Sequence, residues 1–254
     1  MLGNRPLRDY AAALFQREHY VAVFNMARRY PVPVENFFRY LTGRGAYPYD
    51  IKLKTPLGIV EPRLDSFHDL LTVNEIFCRM DYAAGPDIRT VVDLGSNIGL
   101  SALYFLTCSA QARCYLYEPN PRNVGRLRAN LGAFADRYRL VEKAVSFESG
   151  RVEFGIEPTG RYGGIGVPTG RTITVDCLHI NAVLESVLQE ADSIDILKID
   201  TEGAEVPTVE AIDESLARRI RRIYLEGKPG RPLHAAIFRQ RQYGSVCQLT
   251  NRAI

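Results

Sequence analysis

The stretch Val91-Val92-Asp93-Leu94-Gly95-Ser96-Asn97-Ile98-Gly99-Leu100-Ser101-Ala102-Leu103-Tyr104-Phe105 passes from an apolar strand through a glycine turn into a helix. That order builds the corner at which an open α/β sheet binds its ligands. Gly95 can take the dihedrals of a sharp turn, Gly99 permits close helix–strand packing or ligand approach, and free N–H groups at the helix start suit a carboxylate. The spacing is Gly-x-x-x-Gly, which departs from the Gly-x-Gly-x-x-Gly of dinucleotide sites. Asp93 adds chemistry: a carboxylate two residues before Gly95 is unfavourable beside a pyrophosphate and favourable near the ammonium of a methionine moiety.

Outward from this corner, residues 89 onward alternate short apolar strands with amphipathic helices, the pattern of an α/β parallel sheet covered on both faces. Strands are expected at 90–93, 113–117, 138–143, 194–200 and 223–226, with one helix from Ile98 to Cys108. A second helix has Asn120 as N-cap and Pro121 as first residue, with Val124, Leu127 and Leu131 inward. Residues 152–156 and 173–175 read as a hairpin whose glycine-rich tip, 160–170, carries Arg161 and Tyr162 and can fold over a substrate. Residues 243–249 read as a short antiparallel edge strand.

Upstream, the first forty residues read as two helices, one bearing Leu7, Tyr10, Ala11 and Leu14, the other following the Pro31-Val32-Pro33 break. A hairpin is expected over 51–60 and a helix over 70–82, with Val73, Ile76, Phe77 and Met80 on one face. The division that follows is an N-terminal helical and hairpin cap, 1–66, and a ligand-binding domain, 67–254.

Composition narrows the partners. The chain has 254 residues and a net charge of +3 without a long basic run, which speaks against nucleic acid and anionic membrane. Arginine supplies 27 of the 32 basic residues, a usage that coding bias explains as readily as function. Five scattered cysteines form no C-x-x-C pair, so neither a disulfide framework nor a structural zinc site is indicated. The first residues lack the apolar stretch of a signal peptide and no run reaches the ~18 apolar residues of a membrane span, so a cytoplasmic location is expected.

Two more acidic features join Asp93. Glu118 closes the second strand close to the ~20-residue spacing at which an acid meets ribose hydroxyls. The fourth strand runs into Leu197-Lys198-Ile199-Asp200-Thr201-Glu202-Gly203-Ala204-Glu205, crowding carboxylates at the carboxyl edge of the sheet. Asp200 and Glu202 can orient or deprotonate a substrate hydroxyl, and Glu205 suits the start of the next helix. His68 beside Asp69, and Glu226 at the end of the fifth strand, are further candidate bases, with Asp200 favoured. The arginines 218, 219, 221 and 222 fit a helix C-terminus better than a phosphate site.

The blocks around Asp93–Gly99, Tyr117-Glu118-Pro119-Asn120-Pro121 and Leu197–Glu205 resemble the FkbM family of S-adenosylmethionine-dependent methyltransferases. Thr72-Val73-Asn74-Glu75-Ile76-Phe77 and Glu142-Lys143-Ala144-Val145-Ser146 extend the resemblance over about residues 50–226. It implies a class I methyltransferase (Rossmann-like) fold, with a mostly parallel seven-stranded sheet and one antiparallel strand near the C-terminus. The implied cofactor is S-adenosylmethionine, and the implied reaction is O-methylation of a hydroxyl on a small molecule, a natural product or sugar. Carried over by position, Asp93, Gly95, Asn97 and Gly99, with Ser96 among them, surround the methionine part. Glu118, with Pro119 and Asn120, meets the ribose, and Lys143 with Ala144 the adenine, while Thr72 and Glu75 close the site. No metal is assigned, because no ligand spacing specifies one.

Two other readings compete: an NAD(P)-dependent oxidoreductase, which shares the strand–glycine–helix corner but against which Asp93 speaks, and a non-catalytic module that binds the cofactor alone. The N-terminal helices are assigned neither to a lid nor to a dimer interface, so a homodimer stays among the expectations.

Overall fold

The computed structural model describes residues 17–157 and 163–254, with side chains from residue 21 onward. The expected helix around Leu7–Leu14 and the tip residues Arg161 and Tyr162 lie outside them. Packing divides the chain into two compact units, Met1–Ala83 and Ala84–Ile254.

In the N-terminal unit, helix α1 (Arg17–Arg29) is followed by α2 (Pro33–Thr42), which Pro33 opens and Gly43 stops in the left-handed region at φ 67°. Strands β1 (Tyr49–Asp50), β2 (Leu53–Thr55), β3 (Gly58–Val60) and β4 (Arg63–Leu64) nest as two antiparallel pairs, β2 with β3 and β1 with β4. Ser66 starts α3 (Phe67–Val73) with a reciprocal capping box: its hydroxyl accepts from Asp69 N–H, and Asp69 Oδ2 accepts from the backbone N–H of Ser66 and of Asp65. The Asp69 carboxylate thus serves the helix start.

The helix expected over 70–82 begins earlier and widens into a π turn, Asn74–Arg79, ending at Met80 with φ 60°. The widening accommodates a buried polar residue: Asn74 donates to Leu70 O and accepts from Tyr30 OH. Through that bond, and through Asn25 Nδ2 donating to Cys78 O, α1 holds α3 and the π turn. This is why the units divide after Ala83, where the sequence suggested residue 66.

The larger unit is an α/β sandwich. Its elements run β5 (Thr90–Leu94), α4 (Leu100–Cys108), β6 (Arg113–Tyr117), α5 (Pro121–Asn130), β7 (Tyr138–Val141), β8 (Ala144–Ser146), β9 (Gly150–Gly155), β10 (Thr172–His179) and α6 (Ile180–Leu188). There follow β11 (Ile196–Ile199), α7 (Glu205–Glu210), α8 (Glu214–Ala217), β12 (Arg222–Glu226), β13 (Phe238–Tyr243) and β14 (Val246–Asn251). The main sheet has seven strands in the order β7-β6-β5-β11-β12-β14-β13, and β14 runs against both its neighbours while the other pairs are parallel. The order reverses direction at β5, so a crevice opens between the carboxyl ends of β5 and β11.

Side chains alternate across this sheet. Val92, Leu94, Leu197, Ile199, Ile223 and Leu225 face a core completed by α6, α7 and α8. Asp93 and Lys198, of opposite parity, project to the other face, where Ser101 at the start of α4 bonds Asp93. All nine residues of α4 are buried, in keeping with its nearly continuous apolar sequence.

Two expectations need correction. The single edge strand at 243–249 is instead a hairpin, and its second strand, β14, enters the sheet beside β12 while β13 forms the edge. The alternation Phe-Arg-Gln-Arg-Gln-Tyr in β13 puts charge on a free edge, which blunts further pairing and also conceals the strand in the sequence. The third strand ends at Val141, two residues short of Lys143, because the chain leaves to form a separate three-stranded sheet, β8-β10-β9, with β8 and β10 parallel and β10 and β9 antiparallel.

Candidate active site

The glycine turn is stitched to both neighbouring strands. The N–H groups of Gly95 and Ser96 donate to Tyr117 O at 3.0 and 3.1 Å, and Asp200 N–H donates to Leu94 O at 3.1 Å. Gly95 has φ 73°, and a Cβ there would sit 1.9 Å from Asp200 O, so backbone geometry and close approach both demand glycine. Gly99, at φ 84°, serves helix packing: a Cβ would lie 3.1 Å from Leu127 and 3.2 Å from Leu131, so its absence admits α5 against the start of α4.

A cleft enclosing about 580 Å³, partly open to solvent, lies at the carboxyl ends of β5, β6 and β11. Glu118 forms its floor with only 4% of its surface exposed. Each carboxylate oxygen accepts one backbone N–H, Oε2 from Asn97 at 2.8 Å and Oε1 from Asn120 at 2.9 Å. The Asn123 side chain adds a third hydrogen bond to this carboxylate, which as an acceptor of about four bonds keeps capacity for a donor in the cleft. Burial pushes the Glu118 carboxyl up from 4.5 to about 7, against the pull of those N–H groups and of Lys198. Asn120 fixes the approach by capping α5, its Oδ1 accepting from Arg122 N–H at 3.1 Å. One wall is apolar: Ala144 and Val145 from β8, Phe154 from β9, and Ile165, which bridges to Phe154. Lys143, beside that wall, pairs with Asp176 at 3.3 Å.

The opposite wall is the turn after β11, with Asp200, Thr201 and Glu202. Glu205, in the first turn of α7 as the sequence suggested, also holds this turn by accepting from the N–H groups of Thr201 and Gly203 at 2.9 to 3.0 Å. Glu202, at φ 59°, and Gly203, at φ 110°, take the left-handed conformations that bend the chain there.

Beneath the turn, Lys198 Nζ lies 3.0 Å from Asp93 Oδ1, 3.4 Å from Asp200 Oδ2 and 3.1 Å from Gly95 O. Ser101 Oγ donates to Asp93 Oδ2 at 2.5 Å. Asp93 is fully buried and does not line the cleft. The sequence reading set its charge against a ligand ammonium; the structure instead ion-pairs one oxygen with the buried Lys198 and bonds the other to the Ser101 hydroxyl, away from the cleft lining.

A profile of the methyltransferase FkbM domain matches residues 93–245. The chain belongs to the FkbM methyltransferase family. The 2-O-methyltransferase NoeI of Sinorhizobium fredii is 29% identical over 157 residues, covering 56% of this chain and 63% of that protein. The hexuronic acid methyltransferase AglP of Haloferax volcanii is 28% identical over 124 residues, covering 49% of this chain and 50% of that one. The FkbM chain thus spans about half to under two thirds of the length of these relatives. A solved methyltransferase from Geobacter sulfurreducens is 17% identical, with 71% of this chain and 78% of that chain covered at a TM-score of 0.40.

Family membership decides against the NAD(P)-dependent oxidoreductase weighed from the sequence. Of the residues expected at the FkbM site, Gly95, Asn97, Glu118, Pro119, Asn120, Lys143, Ala144, Asp200 and Glu202 line the cleft. Ser96 does not; it is 1% exposed and its hydroxyl bonds Asp93 O. Gly99 packs helices, and Glu226 is an exposed residue paired in register with Val246, away from the cleft lining. His68, Thr72 and Glu75 belong to the N-terminal unit, where the Thr72 hydroxyl donates to His68 O and Glu75 lies 3.9 Å from Arg79. Sequence reasoning gave no role to Lys198 and Thr201, which lie within the motif it quoted, and missed Asn123, Phe154 and Ile165. Strand alternation alone does not reveal which face of an inserted sheet turns toward the cleft. Among the described residues no group of three His, Cys, Asp or Glu side chains converges to hold a metal, and no helix is long and apolar enough to cross a membrane.

Proposed function

We propose that this chain binds S-adenosylmethionine in the cleft between β5, β6 and β11 and transfers its methyl group to a hydroxyl of a small molecule, a sugar or a natural product. The observation that carries the reading is Glu118: a buried carboxylate that lines the cleft, fixed by two backbone N–H groups and the Asn123 side chain and with acceptor capacity left over, suits the hydroxyls of a ribose. The other residues fit the same group. Ala144, Val145, Phe154 and Ile165 offer a flat apolar wall to an adenine, and Gly95 leaves room where a side chain would intrude. The Thr201 hydroxyl is buried at the opposite wall without a hydrogen-bond partner of its own.

Bound S-adenosylmethionine supplies an already electrophilic methyl carbon, so the protein's work is alignment and exclusion of water. Asp200, with 27% of its side chain exposed at the cleft wall, accepts a hydrogen bond from the acceptor hydroxyl and then its proton. Glu202 borders the same opening. The named activities of NoeI and AglP, on a 2-hydroxyl and a hexuronic acid, support a sugar-like acceptor. Five buried cysteines, none in a disulfide, fit action in a reducing cytoplasm.

The test is transfer of a labelled methyl group to a panel of hydroxylated sugars and natural-product scaffolds by wild type and Asp200→Asn. The account expects the variant to lose at least tenfold in kcat while the Kd for S-adenosylhomocysteine changes less than threefold. Unchanged kcat removes Asp200 from the chemistry.

A further inference from the structure

Lys198 is 2% exposed and sits in a cage of four oxygens: a carboxylate oxygen each from Asp93 and Asp200, and the carbonyls of Leu94, at 3.4 Å, and Gly95, at 3.1 Å. The cage follows from sheet register. Lys198 on β11 stands directly opposite Asp93 on β5, both on the face toward Ser101, and Asp200 lies two residues further along the same side. Of Lys198, Asp93, Ser101 and Asp200, Asp200 is the one that lines the cleft.

Burying an ammonium is costly unless oxygens surround it, and these do so well enough that the lysine stays charged. The cation is a lysine in a chain that otherwise favours arginine, 27 of 32 basic residues. A compact ammonium aims donors in several directions, where a planar guanidinium would align them in one. The backbone makes the same connection, since Asp200 N–H bonds Leu94 O and Asp200 O excludes any Cβ at Gly95.

We propose that Lys198 is a positioning residue: its ammonium locks the glycine turn and the Asp200 carboxylate into one rigid unit, and Asp93 acts only by holding Lys198. The inference deepens the reading of the cleft as an S-adenosylmethionine site and rests on it. Lys198 touches neither ligand nor acceptor. Its effect is to keep Asp200 aimed at the cleft while the carbonyls of the turn are held from below.

The experiment compares wild type, Asp93→Asn, Lys198→Met and the double variant by Tm and by calorimetric titration with S-adenosylhomocysteine. Lys198→Met alone strands the buried Asp93 carboxylate, and its Tm is expected to fall. The double variant removes both charges and is expected to regain most of that Tm, yet to bind S-adenosylhomocysteine at least tenfold more weakly than wild type. Regained Tm together with wild-type affinity overturns the inference, because Lys198 would then be a charge partner and nothing more. If neither Lys198 variant folds, Asp93→Asn decides: with Lys198 no longer held, the inference requires S-adenosylhomocysteine to bind more weakly than to wild type at unchanged Tm, and wild-type affinity overturns it. Failure of wild type to bind S-adenosylhomocysteine would be seen first and would count against the reading of the cleft, leaving a result separate from either outcome for Lys198.

Discussion

Glu118 shows how a buried charge can be both a cost to the fold and a means of binding. Its carboxyl is raised from 4.5 to about 7, chiefly by burial. A raised value means that folding favours the protonated form. The contribution to stability is complete below pH 4.5, is lost as the pH climbs toward 7, and above that the ionised carboxylate costs about 3 kcal/mol. Hydroxyl donors of a ribose favour the ionised form, so a ligand that engages Glu118 expels its proton. The Kd for S-adenosylhomocysteine is therefore expected to be about tenfold weaker at pH 6 than at pH 8, the ratio that a group titrating near 7 gives when only its ionised form binds. Calorimetry at the two pH values checks this, and an affinity flat across that range contradicts the role given to Glu118. The residue was legible in the sequence as the acid ending the second strand. Its raised carboxyl was not, because that depends on how completely β6, α5 and the glycine turn enclose it.

Two glycines of one motif separate on the scale of elements. Gly95 lies where β5 meets the turn after β11, with no room for a Cβ beside the Asp200 carbonyl; Gly99 lies where α4 meets α5, against side chains that can shift. Gly95→Ala is expected to cost at least about 3 kcal/mol, combining left-handed strain with a backbone clash, and to abolish S-adenosylhomocysteine binding. Gly99→Ala pays the strain and a smaller repacking of Leu127 and Leu131, about 1–2 kcal/mol, and keeps the affinity. Denaturant melts and titrations of the two variants test the contrast; equal losses of affinity would return Gly99 to the cleft. The sequence supplied both glycines with one shared explanation. What divides them is which element each faces, a long-range fact of sheet order. Asp93 teaches the same lesson: its place at the end of β5 was readable, but its neutralisation depends on Lys198 standing opposite in register, 105 residues later.

Across the whole molecule, alternation of apolar strands and helices was enough to reveal the parallel part of the sheet, since a strand buried on both faces is apolar at nearly every position. The parts that stayed hidden are the polar edge strand β13, the three-residue β8, and the joining of β8 to the hairpin expected at 152–156 and 173–175, which the structure bears out as β9 and β10. The division between units moved to Ala83 because a buried asparagine bonds α3 and its π turn into the N-terminal unit, a contact no local pattern announces. The seven-strand order and the FkbM domain match agree on the class of protein, and the cleft proposed for the ligand lies at the switch in strand order. Calorimetric titration of the wild-type chain with S-adenosylhomocysteine, beside NAD as a control, tests that central claim. The account predicts one saturable site per chain for S-adenosylhomocysteine, lost in Gly95→Ala, and no binding of NAD; a folded chain that binds NAD, or binds neither, would contradict it.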